Sequence, residues 1–202
     1  MLKKWIKEYI AINKTEILIV IGLLLLGIVI GIGTYIFSSS EIKQIAIGSV
    51  KKVLDISKDE TYVKTNIIKN GIKTNLITIC LLAIVSVMLF GKYVIYVLTI
   101  LKGSAISLYT IVIFNVFGPL WGVVVTLLLV ILVNILYIPA YIYLVVTFLE
   151  LNFNIFKTKL NINGYSTYRP LLVVFVSSIL MFSSVIVEQI ASNIVLNIYN
   201  KL

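Results

Sequence analysis

From Ile17 to Phe37 the chain runs for 21 residues without a charged side chain. At about 1.5 Å of rise per residue a helix of that length reaches about 31 Å, enough to cross a hydrocarbon core of about 30 Å. Apolar runs of comparable character return further along. With helix ends added, the expected spans are 16–37, 75–90, 93–117, 120–150 and 170–189. In lipid every backbone N–H and C=O must be satisfied within the protein, so only helices or closed barrels cross. These runs are continuous rather than alternating, which is helical patterning. The expected fold class is an all-α integral membrane protein. It is a polytopic bundle of about five transmembrane helices forming one membrane domain over 1–202.

Composition agrees. Of the 202 residues 60% are hydrophobic and 12% charged, with a mean hydropathy of +1.11. A soluble domain holds about 45–50% apolar and about 25% charged residues, and could not cover this much oil. The first run exceeds the roughly 7–15 residues of a signal-peptide core. Ser38-Ser39-Ser40 follows it instead of a small-residue cleavage site. It is read as a retained first span.

The net charge of +9, from 17 Lys+Arg against 8 Asp+Glu, raises the question of a nucleic-acid partner. The lysines are scattered through the gaps between apolar runs, where they meet lipid headgroups, so no nucleic acid is expected. Lysine placement does not orient the chain. With the N-terminus inside, Lys3, Lys4, Lys7, Lys14, Lys92, Lys157, Lys159 and Arg169 balance Lys43, Lys51, Lys52, Lys58, Lys64, Lys69, Lys73 and Lys201 outside.

Between the first two spans lies a polar segment, 38–74, with seven Lys and four acids (Glu41, Asp55, Asp59, Glu60). Ile42, Ile45, Ala46, Val50, Val53 and Leu54 recur in it at helical spacing, interrupted by Ile47. Ser57 to Glu60 has the pattern of a capping box, and Asn70-Gly71 that of a helix stop. The segment is too short to bury a core of its own. It lies on the membrane, packs on the bundle or binds a partner. Gly91-Lys92 and Gly118-Pro119 mark breaks between later spans, the proline suited to open a helix. A second polar gap covers 151–169, and Glu188-Gln189 reads as the exit from the last span.

Few residues could carry chemistry. There is no histidine, and Cys80, the single cysteine, reads as a small buried hydrophobe. No phosphate loop, zinc motif or nucleophile–base pair can be assembled. No catalytic residue, metal or cofactor is expected, and the chain is read as no enzyme. Lys102 falls mid-span, where a lysine costs about 2.5–3.5 kcal/mol on insertion scales. Either it contacts a substrate or ion, or Tyr93–Leu101 lies along the interface and Lys102 snorkels outward, the simpler expectation. Pro139 removes a helix hydrogen bond and predicts a kink, whose freed carbonyl Asn134 or a neighbouring helix could satisfy. Such a broken helix would form part of a transporter site; as a hinge it needs nothing more. Glu150 and Glu188, both at expected span ends, could form a proton-coupling pair but are read as hydrated. Gly27-xxx-Gly31, Gly103-xxx-Ser107 and the heptad-spaced Ser177, Ser184 and Ala191 are candidate helix-packing faces.

Leu101-Lys102-Gly103 opening a glycine- and serine-rich span, and Val133-Asn134-Ile135-Leu136-Tyr137-Ile138-Pro139 with Tyr141 following, resemble the stage II sporulation protein M family of endospore-forming bacteria. The glycine-bearing first span and the lysine-rich amphipathic stretch after it are also similar. The resemblance covers nearly the whole chain, most closely 99–150. It implies a multi-pass protein of the cell membrane, in the mother-cell membrane at the sporulation septum, with a cytoplasmic N-terminus. Segment 38–74 would then lie outside and 151–169 inside. It implies a non-catalytic scaffold that gathers peptidoglycan-degrading partners, stage II sporulation proteins D and P, for engulfment of the forespore. The alternative expectation is a small permease or transporter subunit with a site near Lys102, Asn134 and the kink at Pro139.

Overall fold

The structure, a computed structural model, describes residues 9–56, 60–157 and 168–199, and among these every regular element is helical. After a helical turn at 9–12 come α1 (Lys14–Phe37), α2 (Ser40–Ile56), α3 (Glu60–Ser86), α4 (Gly91–Thr126), a π-helical stretch (Leu127–Leu132), α5 (Val133–Lys157) and α6 (Tyr168–Tyr199). Four stretches are long and apolar enough to cross a membrane: Lys14–Phe37, Ile68–Ser86, Gly91–Phe153 and Pro170–Tyr199. Large apolar side chains such as Leu18, Leu25, Val29, Ile84, Val97, Leu101, Phe175 and Ile186 point outward. The chain is an all-α bundle with a membrane protein's outer surface.

The 63 residues of Gly91–Phe153 do not form one rod. Laid straight they would measure about 95 Å, some three times the hydrocarbon core. Gly118 has φ 75° and ψ 175°, a backbone state open essentially to glycine alone. Pro119, next in line, needs no N–H partner as it opens the returning helix. The chain reverses there: a Cβ on Gly122 would stand 3.1 Å from the Cα of Phe114, although eight residues separate them.

Helix directions follow from side-chain register. Gly27 of α1 lies against Ile100 and Gly103 of α4, and Gly31 against Ser104 and Ser107, so α1 and the first part of α4 run parallel. Gly71 of α3 meets Val185 of α6 and Asn75 meets Met181, so those two run antiparallel. At the core sits α5, whose Leu144, Val145, Val146, Thr147, Phe148 and Leu149 are all buried. They pack with Val20 and Leu24 of α1, Leu82 and Val85 of α3, Ile95 of α4 and Met181 of α6. A second cluster, Ile113, Phe117, Val125, Val130 and Val195, fills the end of the bundle near Gly118.

Several boundaries differ from those the sequence suggests. The second crossing helix does not begin at 75: α3 runs from Glu60 straight through Asn70-Gly71. Gly71 is there for close approach, since a Cβ would stand 2.6 Å from a Val185 methyl. Of the proposed capping box, residues 57–59 lie outside the described residues. The same helix ends at Ser86 rather than Phe90, in a turn closed by Gly91 N–H donating to the Met88 carbonyl at 2.9 Å. Beyond 150, α5 continues to Lys157, so Asn152 belongs to a helix and is buried. Glu188 is not an exit either. The apolar pattern resumes at Ile190, Ala191, Ile194 and Val195, and α6 continues to Tyr199. Cys80 is exposed on the outer face of α3 rather than buried.

Candidate functional site

Lys102 sits eleven residues into α4, level with Gly27 near the middle of α1. Tyr93–Leu101 packs into the bundle, with Ile95 and Thr99 within it completely buried. Counting 100° per residue, Lys102 falls on the same inward arc as Ile95, Thr99 and Ile113, while Gly103 and Ser107 turn toward α1. The side chain therefore goes inward, and the Nζ lies 4.4 Å from the centre of the Tyr137 ring on α5. An ammonium over an aromatic face gains about 2 kcal/mol or more when desolvated, which offsets much of its insertion cost.

Glu188 of α6 is close enough for its charge and that of Lys102 to act on one another. Among the described residues no direct ion pair joins the two. Tyr109, about two turns beyond Lys102, also feels the Glu188 carboxylate. The Tyr137 hydroxyl is buried near Thr78 of α3, without a hydrogen bond inside 3.5 Å. Tyr137 stacks on Tyr141 with ring centres 6.0 Å apart, and the Tyr141 hydroxyl lies near Thr99. One lysine, one carboxylate, two stacked tyrosines and two threonines thus converge from α3, α4, α5 and α6. The arrangement can hold a charge-bearing guest between opposite charges, or latch α4 to α6 across α5.

Glu188 is not the hydrated span-end residue its sequence position suggests, since α6 continues past it to Tyr199. It lies seven residues after Met181 and four after Ser184, both buried, and so on the packing face of α6. That spacing was visible in the sequence. The pairing with Glu150 does not form. Glu150 is at the opposite end of the bundle, where its charge acts on Tyr9. The Tyr9 hydroxyl and Thr147 Oγ1 are 2.9 Å apart, and since the Thr147 hydrogen goes to the Tyr143 carbonyl, Tyr9 is the donor.

The Asn134 amide donates to the Val130 carbonyl at 2.7 Å, inside the π-helical stretch. It does not reach the carbonyl of Ile135 that Pro139 leaves free. The departure from α-helical winding thus lies upstream of Pro139, at Leu127–Leu132, with Asn134 satisfying one of its carbonyls. Pro139 itself faces outward on α5, away from Lys102. The packing candidates meet one another. A Cβ at Gly103 would collide with the Leu24 carbonyl, one at Gly31 with Ser107 Oγ, and Ser177, Ser184 and Ala191 are all buried.

Two asparagines escaped the sequence reading. Asn75 Nδ2 donates to the Met181 carbonyl at 2.8 Å, tying α3 to α6. Asn152 Nδ2 donates to the carbonyls of Ser86 and Met88 at 2.8 and 2.9 Å, fastening the α3–α4 turn to the end of α5. Read as a helix start and as part of a polar gap, neither stood out by composition. Compared with known proteins, the chain matches no family model, no curated protein and no solved structure.

Proposed function

We propose that this chain is a five-crossing, non-catalytic membrane scaffold of the stage II sporulation protein M kind. Its N-terminus is cytoplasmic and it gathers peptidoglycan-degrading partners at the mother-cell membrane of the sporulation septum. Support for five crossings comes from the helix directions: α1 parallel to the first part of α4, α3 antiparallel to α6, and the reversal at Gly118. The segment up to Gly118 and the segment after it then cross separately. The chain ends fall on opposite faces, and α2 with the start of α3 faces the space between the two septal membranes.

The observation that carries the scaffold reading is α2. It presents Glu41, Gln44, Lys51 and Lys52 to the surroundings on a helix held against the bundle by α4. Partners of the kind implied, stage II sporulation proteins D and P, would reach it there. The test is crosslinking in sporulating cells, followed by identification of what is attached to the full chain. Cell-wall hydrolases are expected on the wild type and lost from a Gln44→Ala, Lys51→Glu, Lys52→Glu variant that still reaches the membrane. Absence of any hydrolase from the wild type would end this reading.

A second reading, a small permease or transporter subunit, draws support from Lys102, Tyr137 and Glu188 converging between helices. It requires solute flux that Lys102→Leu stops while assembly persists. Normal sporulation in that variant counts against it.

A further inference from the structure

Part of the apolar surface of α2 is left uncovered by the bundle. At 100° per residue its side chains fall into three arcs. Lys43, Ala46, Ile47 and Val50 are partly covered and face the bundle, where α2 packs on α4. Glu41, Gln44, Lys51 and Lys52 make an exposed polar arc. Between these two arcs on the far side stand Ile42 and Ile45, with 58% and 68% of their surfaces open.

What covers those isoleucines follows from where the helix begins. Only Ser38 and Ser39 separate α2 from α1. The Nζ of Lys43 donates to the Ile36 carbonyl at 3.0 Å and lies 5.4 Å from the centre of the Tyr35 ring. The first turn of α2 is thereby fixed beside the last turn of α1, which shows Ile36 and Phe37 to the outside, Phe37 at 89%. Tyr35 and Lys43 form the aromatic–lysine pairing that suits a headgroup layer. Trp121 and Leu120, just past the Gly118 reversal, are exposed at the same end of the bundle. A tryptophan there is placed as an interfacial anchor. Ile42 and Ile45 therefore continue the outer apolar band of α1 at the depth where hydrocarbon gives way to headgroups.

We propose that α2 lies in the membrane surface, with Ile42 and Ile45 resting among lipid acyl chains and Glu41, Gln44, Lys51 and Lys52 turned to water. The occupant of the apolar arc is lipid and not a protein. This rests on α1 crossing the bilayer, and it deepens the scaffold reading: protein partners have only the polar arc to recognise. Changes at Ile42 or Ile45 would tilt or release the helix rather than remove a partner contact.

The test uses the full chain with Cys80→Ala, reconstituted without partners in vesicles of phosphatidylethanolamine and phosphatidylglycerol. A nitroxide is attached at Ile45→Cys or, separately, at Lys51→Cys, which stands about 120° away around the helix. Power saturation then compares collisions with oxygen, which concentrates in lipid, and with a water-soluble nickel chelate. The oxygen-to-nickel ratio at 45 is expected to exceed that at 51 several-fold, and Ile42→Cys is expected to behave like 45. Equal ratios at 45 and 51 overturn the proposal, as does shielding of 45 that arises only when a protein partner is added. Because no partner is present in the first measurement, failure to capture hydrolases leaves a lipid-buried 45 standing. A water-exposed 45 refutes the lipid role even where hydrolases bind.

Discussion

Replacing Gly27 by alanine tests the backbone-to-backbone approach of α1 and α4. The added Cβ would collide with the Ile100 carbonyl oxygen and stand 3.0 Å from its carbon and 3.1 Å from the Cα of Gly103. All three are backbone atoms, so no side chain can swing aside. The helices must part by roughly 1 Å, and a gap of that size forfeits about a quarter to a half of each dispersion contact it opens. Leu24, Gly31, Ser104 and Ser107 along the same seam lose contact together. Overpacking costs about 1–3 kcal/mol, and a backbone clash belongs at the upper end. Against this, alanine gains about 0.5–1 kcal/mol over glycine in a helix interior.

The same helix supplies its own control. A Cβ at Gly22 or Gly33 meets nothing within 4 Å. Gly22→Ala and Gly33→Ala should therefore show the propensity gain alone, about 0.5–1 kcal/mol of added stability. Gly27→Ala should come out about 1–2 kcal/mol less stable than wild type, a separation of about 2–3 kcal/mol between substitutions identical in chemistry. Reversible unfolding by steric trapping in bicelles measures it. If Gly27→Ala is as stable as Gly22→Ala, α1 and α4 do not pack in the register described.

Four further outcomes are expected. Asn152→Leu strips the Ser86 and Met88 carbonyls of their donor and should cost about 1–3 kcal/mol in the same unfolding assay. Asn75→Leu, which loses one interhelical bond, should cost about 0.6–1.7 kcal/mol. In a double-mutant cycle, Lys102→Met and Glu188→Gln should couple by about 1 kcal/mol or more, each single change leaving the other charge without its counterpart; strict additivity would mean the two charges do not sense each other. Burial, opposed by the Thr147 hydrogen bond and aided by Glu150, pushes the Tyr9 phenol up to about 12. Its neutral form thus contributes stability that is whole below the ordinary value of about 10 and lost as pH rises through 12. The alkaline loss should be smaller in Tyr9→Phe, and an unchanged pH profile would contradict that placement.

How much of this was legible beforehand depends on whether a residue acts through its own segment or through another. Length and hydropathy are properties of one segment, so the apolar runs, the break at Gly118-Pro119 and the polar stretch after Phe37 could be read directly. The small-residue faces Gly27-xxx-Gly31 and Gly103-xxx-Ser107 were visible separately, but nothing in either states that it packs on the other. Asn70-Gly71 misled for the same reason. In isolation that dipeptide stops a helix, whereas beside Val185 the missing Cβ is what lets α3 approach α6. Asn152 looked like one more polar residue in a gap because its two acceptors lie more than sixty positions away.

The inward turn of Lys102 illustrates the point most sharply. A lysine alone at mid-span has one inexpensive escape, to snorkel toward headgroups, and the sequence offered no reason against it. The structure removes that route by burying Ile95 and Thr99 on the same arc and setting the Tyr137 ring beneath the ammonium. Glu188 then matters because of its helix face and not its distance from a helix end. Opposite charges held apart on α4 and α6, with an aromatic floor from α5, favour the approach of two helices that flank a third. A scaffold whose bundle must keep its shape while partners pull on α2 has use for such a latch. A permease would have use for the gap. Whether Lys102→Leu alters bundle stability or solute flux separates these two uses of one set of side chains.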